Sequence, residues 1–266
     1  MDTFQNKVVW ITGASSGIGE AIAMAFAKEG AKLVLTARRK EELERVKIAT
    51  GLPDSSVLIL PFDVTEFEKA EGATAEIIAK FQRIDIMVHN AGISQRSYIK
   101  DTDLDIYKKL MDVNFYSTVA ITKAVLPHMI KQQSGHFIVI SSVAGKIGTI
   151  MRSGYNASKH ALQGFYDSLR AESYNDNIKV TTICPGYIRT NVSVNAINEK
   201  GEKFGKMDSN QEKGIAPEEC ARQILNAVKK DKKEIYIGGF KEVAAIYLKR
   251  FLPDLLFDQV RKNIPE

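Results

Sequence analysis

Val8-Val9-Trp10-Ile11-Thr12-Gly13-Ala14-Ser15-Ser16-Gly17-Ile18-Gly19 is the stretch on which the fold turns. Its first four residues are an unbroken apolar run, the pattern of a strand buried on both faces, as in a parallel sheet. Glycines then cluster where such a strand must turn, and Ile22 and Phe26, with alanines between them, continue in helical register to about Gly30. Strand, glycine turn and helix in this order make a dinucleotide-binding start. Glycine lets the backbone turn tightly and approach a pyrophosphate, and a helix N-terminus offers it free N–H groups and a positive dipole. The spacing Gly13-x-x-x-Gly17-x-Gly19 is one residue wider in its first gap than the generic fingerprint. The same turn could simply join a strand to a helix, so the rest of the chain has to decide.

Further apolar runs at residues 32–37, 57–62, 84–88, 136–140, 180–184 and 234–237 read as strands two to seven, and helical patterns lie between them at 40–48, 104–130, 155–174 and 217–230. The long 104–130 stretch should be interrupted late, at Pro127. Alternating strands and helices predict an α/β class, a doubly wound Rossmann fold with a seven-stranded parallel sheet flanked by helices. A chain of 266 residues, 44% apolar and 26% charged, with no polar or Pro/Gly-rich divide, suits one domain over 1–239 with a helical tail, 240–266, belonging to it. Two cysteines, Cys184 and Cys220, are too few for a disulfide scaffold and fit a reducing compartment. Residues 1–7 carry no charged segment leading into an apolar core, and the run 8–11 is too short to span a bilayer. Neither a signal peptide nor a transmembrane helix is expected, which points to a cytoplasmic location. The net charge of +5 comes from basic residues spread over helix ends without an aromatic and basic stripe, so a solvated surface is expected and no nucleic-acid partner. The acceptor-like triplets at Asn156 and Asn191 are chance matches in that setting.

The chemistry is concentrated in Tyr155-Asn156-Ala157-Ser158-Lys159. On a helix the phenol and the ammonium share a face, about 5–6 Å apart at Cβ. A neighbouring cation favours the phenolate, so the Tyr155 pKa is expected below its ordinary value of about 10, suiting a proton donor and acceptor. Alone, such a pair is usually a surface contact. Here it follows the glycine turn, Asn90-Ala91-Gly92 after the fourth strand, and Ser141-Ser142 at the end of the fifth, where open parallel sheets place their ligands. Together these features resemble the short-chain dehydrogenase/reductase family over residues 7–237, and the wider glycine spacing is that family's form. Residues 185–208 also resemble its dehydrogenase/reductase member 7B subgroup, whose members can carry an N-terminal membrane anchor.

The resemblance implies reversible hydride transfer between a nicotinamide cofactor and a carbonyl or secondary alcohol, without a metal. It assigns catalysis to Asn114, Ser142, Tyr155 and Lys159, choosing Ser142 over Ser141 by its thirteen-residue distance from Tyr155. Spacing alone cannot choose between the two serines. Asn114 lies on an apolar pattern, where a buried amide is either structural glue or part of a water-bearing relay; the resemblance favours the relay. Cofactor contacts fall to Gly13, Ser15, Ser16, Gly17, Ile18 and Gly19, to Asp63 and Val64, to Asn90, Ala91 and Gly92, to Tyr155 and Lys159, and to Pro185, Gly186, Ile188 and Thr190. Asp63 could also cap the next helix, for which Thr65 with Glu68 offers a capping box of its own. His89 stands where the family usually has a second Asn, and reads as a neutral packed substitute.

After the second strand comes Thr36-Ala37-Arg38-Arg39, with no carboxylate until Glu41. A carboxylate there would select NAD; arginines accommodate a 2′-phosphate, so the expected cofactor is NADP(H), with Arg38 the first choice and Arg39 the second. Residues 191–214, too long for a routine connector, read as a mobile substrate lid. Family members pair two helices into a homodimer or homotetramer. The tail sets Phe240, Val243, Tyr247, Leu248, Phe251, Leu252, Leu255 and Leu256 among Lys241, Lys249, Arg250, Arg261 and Lys262. That face could dock on its own domain, meet another subunit or lie on a membrane. Tail and lid hint at a lipid- or steroid-like carbonyl and a place in lipid metabolism, with a small aldehyde or sugar left open. A cofactor-binding sensor or scaffold on the same fold is the competing reading.

Overall fold

Alternate residues of the central strands part to opposite faces of one sheet, and this builds two cores. In the computed structural model, which describes residues 4–262, β1 (Val8–Thr12) sends Val9 and Ile11 into one core and Val8 and Trp10 into the other. Residues 1–3 and 263–266, the ends of the N-terminal segment and of the tail, lie outside the described residues. The elements that follow are α1 (Gly17–Lys28), β2 (Lys32–Ala37), α2 (Lys40–Thr50), β3 (Val57–Pro61), α3 (Lys69–Phe81), β4 (Ile86–His89), α4 (Leu104–Met111) and α5 (Ser117–Gln132). Then come β5 (Gly135–Ile140), α6 (Ser153–Glu172), β6 (Ile178–Pro185), α7 (Ser209–Glu212), α8 (Pro217–Lys229), β7 (Glu234–Ile237), α9 (Phe240–Phe251) and α10 (Pro253–Lys262).

All seven strands pair in parallel, in the order β3-β2-β1-β4-β5-β6-β7. One core joins the sheet to α1, α2 and α8 through Ile22, Phe26, Leu43, Val46 and Ile224; the other joins it to α3, α5 and α6 through Ile77, Val125, Met129, Leu162 and Tyr166. Each fully buried side chain of this kind contributes about 1.5–3 kcal/mol, which is why the central strands carry no polar alternation. The strand order reverses between β1 and β4, and the crevice this opens at the carboxyl ends of the strands is where such sheets bind ligands. The predicted α/β doubly wound sheet is the observed one.

Two local expectations are corrected. The 104–130 stretch is not broken at Pro127: α5 runs through it to Gln132, held by Val125 and Met129, which are buried on the sheet. The irregularity falls earlier, as a π-helical turn at Asp112–Tyr116 that carries Asn114. Such bulges often mark functional positions. No capping box opens α3, whose N-cap Glu68 makes no side-chain hydrogen bond; Asp63 and Glu66 instead close the turn before it, Asp63 Oδ1 accepting from Thr65 N at 3.0 Å and Glu66 Oε2 from Asp63 N at 3.0 Å. The tail is two helices parted at Leu252, and Ile246 and Leu256 pack on Val143 and Ile147 of its own domain. No helix among the described residues is long and apolar enough to cross a membrane.

Candidate active site

The glycine turn after β1 is closed by contacts that admit no side chain. Gly13 sits at φ +65°, and a Cβ there would lie 2.9 Å from Ala91 Cα; a Cβ on Gly19 would lie 2.2 Å from the Gly13 carbonyl oxygen. Gly17, at φ +59°, packs against Thr190. The turn is pinned from β4 by Asn90, whose Nδ2 donates to the carbonyls of Thr12 and Gly13 at 3.0 and 3.1 Å, while the Thr12 hydroxyl accepts from the N–H groups of Asn90 and Ala91. Ser16 caps α1 in extended conformation with its hydroxyl unused by the helix, and Ile18 packs on the core below. A backbone cradle at a helix N-terminus is what a pyrophosphate requires. The residues present therefore fit a dinucleotide.

This cradle opens into one cleft of about 1380 Å³, larger than the roughly 300–1,000 Å³ of a typical small-ligand pocket and roomy enough for a dinucleotide and a second molecule. Gly13, Ser15, Ser16, Gly17, Ile18, Arg38, Arg39, Asp63, Val64, Asn90, Ala91, Gly92, Ser142, Tyr155, Lys159, Pro185, Gly186, Ile188 and Thr190 all line it. At its outer end Arg38 is three-quarters exposed, with only a loose 3.8 Å approach to Asp63, so its guanidinium is available to a ligand. Arg39 caps α2. Ile188 borders the cleft although it is buried and packs in the core.

At the inner end, β5 delivers Ser142 and α6 delivers Tyr155 and Lys159. Ser141, beside Ser142, is committed elsewhere: its hydroxyl donates to the Lys159 carbonyl at 3.1 Å and accepts from Gln163 at 2.8 Å, tying β5 to α6. Ser142 Oγ donates to the Pro185 carbonyl at 3.3 Å and accepts from Ala144 N at 3.0 Å. Asn114 is fully buried. Its Oδ1 accepts from Ile93 N at 2.8 Å, and its Nδ2 donates to Ile93 O and Ser158 Oγ at 3.0 and 2.9 Å. These bonds hold the chain after β4 against α6, the structural half of the two roles expected for it.

The expected acidification of Tyr155 by Lys159 is not what this structure shows. Lys159 Nζ donates to the Ile140 carbonyl at 2.8 Å and lies 5.8 Å from the centroid of the phenol ring. Burial dominates and raises the Tyr155 pKa above its ordinary value of 10, opposed by a hydrogen bond from Ser142 and by the charges of Arg152 and Arg96. Burial also brings Lys159 down to about 8. The sequence places the ammonium on the correct face but cannot show where its proton goes. His89 is the neutral packed residue expected: burial lowers it to about 3, its Nε2 meets Thr122 Oγ1 at 2.9 Å, and its ring stacks on Phe137.

Residues 191–214 contact the chain after β4. Ile197 forms bridges to Gln95 and Lys203, and Arg96 N donates to Ile197 O at 2.9 Å. Several residues near the site escaped the sequence reading. Arg45 on α2 donates to Ser15 O at 3.2 Å while paired with Glu20, bracing the glycine turn. Glu242 of α9 fills the space beside Gly186 and accepts from Gly239 N and, at 3.4 Å, from Tyr187 N, so the tail reaches the cleft. Arg96, Arg152 and Asp208 form a buried ion cluster beside Tyr155. The only sequence signal was Arg152, one helical turn before Tyr155.

A glycine cradle at the carboxyl edge of a parallel sheet, continuous with a buried serine, phenol and ammonium, defines a nucleotide-dependent α/β oxidoreductase. The profile described as short chain dehydrogenase matches residues 7–201, and the chain belongs to that family. Curated relatives include dehydrogenase/reductase SDR family member 7B of Mus musculus, 42% identical over 259 residues that span 95% of this chain and 80% of that protein. Another is dehydrogenase/reductase SDR family member 7 of Homo sapiens, 41% identical over 253 residues spanning 93% and 75%. Among solved structures, a short-chain dehydrogenase from Streptomyces avermitilis superposes with a TM-score of 0.82 at 29% identity over 96% of this chain and 95% of that one. A short chain dehydrogenase/reductase from Burkholderia phymatum, in complex with NAD, superposes with a TM-score of 0.84 at 22% identity, covering 96% of both chains. At that identity the second likeness concerns the fold alone.

Proposed function

We propose that this protein interconverts a carbonyl and a secondary alcohol with NADP(H) as its cofactor. The observation that carries the reading is that Ser142, Tyr155 and Lys159 line the same cleft as the glycine cradle, with Tyr155 and Lys159 on one face of α6. The bound dinucleotide supplies the hydride in reduction and receives it in oxidation. Gly13 to Gly19, Asp63, Val64, Asn90, Lys159 and the 185–190 turn would hold it. Ser142 offers its hydroxyl to the substrate oxygen and stabilises charge developing there. Tyr155, kept protonated by its burial, donates its proton to that oxygen and recovers one through Lys159, while Asn114 fixes the chain around them. A phenol held protonated suits the reductive direction.

NADP(H) rests on the end of β2: two arginines, one of them free of a strong partner, and no carboxylate before Glu41. Apolar cleft residues, Ile93, Val143, Ile147, Val192 and Ile197, favour a substrate with an apolar carbon body. Two assembly proposals go with this reading. The groove between α5 and α6, with Phe115, Leu126, Phe165 and Leu169, supports pairing of two copies. The outer face of α9 and α10, where Phe240, Tyr247, Phe251 and Phe257 are exposed near Lys249, Arg250 and Arg261, supports peripheral contact with an acidic bilayer. Light scattering and sedimentation with acidic vesicles check them; a monomer that stays in the supernatant would remove both.

The decisive experiment is a carbonyl panel assayed with NADPH and NADH, comparing the wild type with Tyr155→Phe. The variant should bind NADPH normally and lose about 10²–10⁴-fold in kcat, the usual contribution of a general acid. Near-normal turnover in the variant removes Tyr155 as the acid. Nucleotide binding by the wild type without turnover of any carbonyl would favour a sensor.

A further inference from the structure

Arg96, Arg152 and Asp208 lie far apart in sequence and meet at the inner end of the cleft. Arg96 follows β4, Arg152 immediately precedes α6, and Asp208 caps α7. Asp208 Oδ2 accepts from Arg96 Nη2 at 3.0 Å and from Arg152 Nη2 at 2.9 Å, with side-chain exposures of only 4%, 13% and 11% for Arg96, Arg152 and Asp208. Two guanidinium groups thus share one carboxylate, and the cluster keeps a net positive charge away from bulk water. Asp208 has no capacity to spare, because its Oδ1 accepts from Asn210 N at 2.9 Å and Gln211 N at 3.4 Å.

The surplus is concentrated on Arg152. Arg96 places its Nη1 on the Gln95 carbonyl at 3.0 Å and Ser94 Oγ at 3.4 Å. Arg152 makes only the bond to Asp208; its Nε is buried without a partner, and its guanidinium lies over the Tyr187 ring, 5.7 Å from the centroid. A buried donor without an acceptor, in a group with surplus charge, is destabilising by itself, and the positive end of the α6 dipole next to it adds to the cost. A cluster that served only to close the 191–214 segment would need one arginine. Arg96, Arg152, Tyr155 and Ser142 line the same cleft, and the charges of both arginines reach the Tyr155 phenol.

We infer that Arg152, supported by Arg96, is an anion subsite beside the reacting carbonyl, so that the substrate carries an acidic oxygen group, carboxylate or phospho, on the same molecule as its carbonyl. The inference rests on the carbonyl reductase reading for the position of the reacting group. Arg152 Nη1, which makes no bond within the protein and is not enclosed as Nε is, donates to one anionic oxygen, a planar guanidinium being suited to carboxylate and phosphate alike. The group thereby fixes which face and which carbon of the substrate stand at Tyr155. The apolar wall opposite takes the carbon chain.

The test uses the NADPH-saturated full chain and a series of methyl-ketone acids with two to eight carbons between carbonyl and carboxylate, each against its methyl ester. A matched methyl-ketone phosphonate accompanies every length. Dissociation constants come from nicotinamide fluorescence, and turnover is followed alongside. For at least one length an acid or phosphonate should bind tenfold or more tightly than the ester, with the advantage shrinking as salt rises. The carboxylate and phosphonate arms separate the two sources of charge. Arg152→Gln should erase the preference, and Arg152→Lys, which keeps the charge, should retain part of it; melting temperature and NADPH affinity check that each variant is folded. Acids that bind no better than esters at every length, or a preference that survives in Arg152→Gln, would overturn the subsite. A preserved acid preference without turnover would instead defeat the reductase reading and leave the subsite standing.

Discussion

Lys159→Met should make the ligand-free protein more stable while abolishing turnover. Burial holds the Lys159 ammonium at about 8 in place of its ordinary 10.5. At about 1.4 kcal/mol per pH unit, that costs the fold roughly 3 kcal/mol well below pH 8. Methionine fills a similar volume without a charge to desolvate. Losing the 2.8 Å bond to the Ile140 carbonyl returns about 1 kcal/mol, leaving a net gain of about 2 kcal/mol. For a domain of this size that is about 4–8 °C in Tm. Because the folded-state value lies below the unfolded one, the wild-type penalty is complete below pH 8 and disappears between about pH 8 and 10.5. The advantage of the variant should therefore shrink over that window. Thermal and urea melts of both proteins at pH 7 and pH 10, without nucleotide, provide the measurement. A variant less stable than the wild type at pH 7, or a difference independent of pH, would refute the reasoning.

Other expectations follow from the same geometry. Arg38→Ala removes a charge-assisted contact from an exposed position and should raise the KM for NADPH about tenfold while leaving that for NADH unchanged; an equal effect on both would dissociate Arg38 from the 2′-phosphate. Gly19→Ala forces a Cβ to within 2.2 Å of the Gly13 carbonyl, so the first turn of α1 must move and nucleotide affinity should fall by about 10²-fold, measured by fluorescence titration. The kcat/KM for carbonyl reduction, which reports the free enzyme, should decline as pH rises through about 8 and Lys159 loses its proton. The Tyr155 limb belongs above pH 10, where burial has moved the phenol. A profile flat to pH 9.5 would exclude Lys159 as the proton source.

The sheet, its winding and the cradle were legible in the sequence because they depend on local patterns. Val8 to Ile11 is apolar without interruption because both faces of β1 are covered, and Gly13, Gly17 and Gly19 are there because no side chain fits between the turn, Asn90 and Thr190. Tyr155 and Lys159 share a face because a helix repeats every 3.6 residues. Electrostatics was a different matter. Whether Lys159 acidifies Tyr155 depends on where its ammonium finds an acceptor, and that acceptor, Ile140 O, comes from a different element, the strand β5. Burial raises a pKa that helical spacing alone leads one to expect lowered. Arg96, Arg152 and Asp208 look like ordinary surface charges along the chain, and only the approach of a loop, a helix start and a distant cap turns them into a buried cluster. The tail shows the same division: its amphipathic pattern was readable, but that Ile246 and Leu256 are spent on Val143 and Ile147 while Glu242 enters the cleft was decided by packing. Periodicity is written within one element and can be read from it. Charge, burial and hydrogen-bond partners belong to pairs of elements, and they exist only once the chain has brought those elements together.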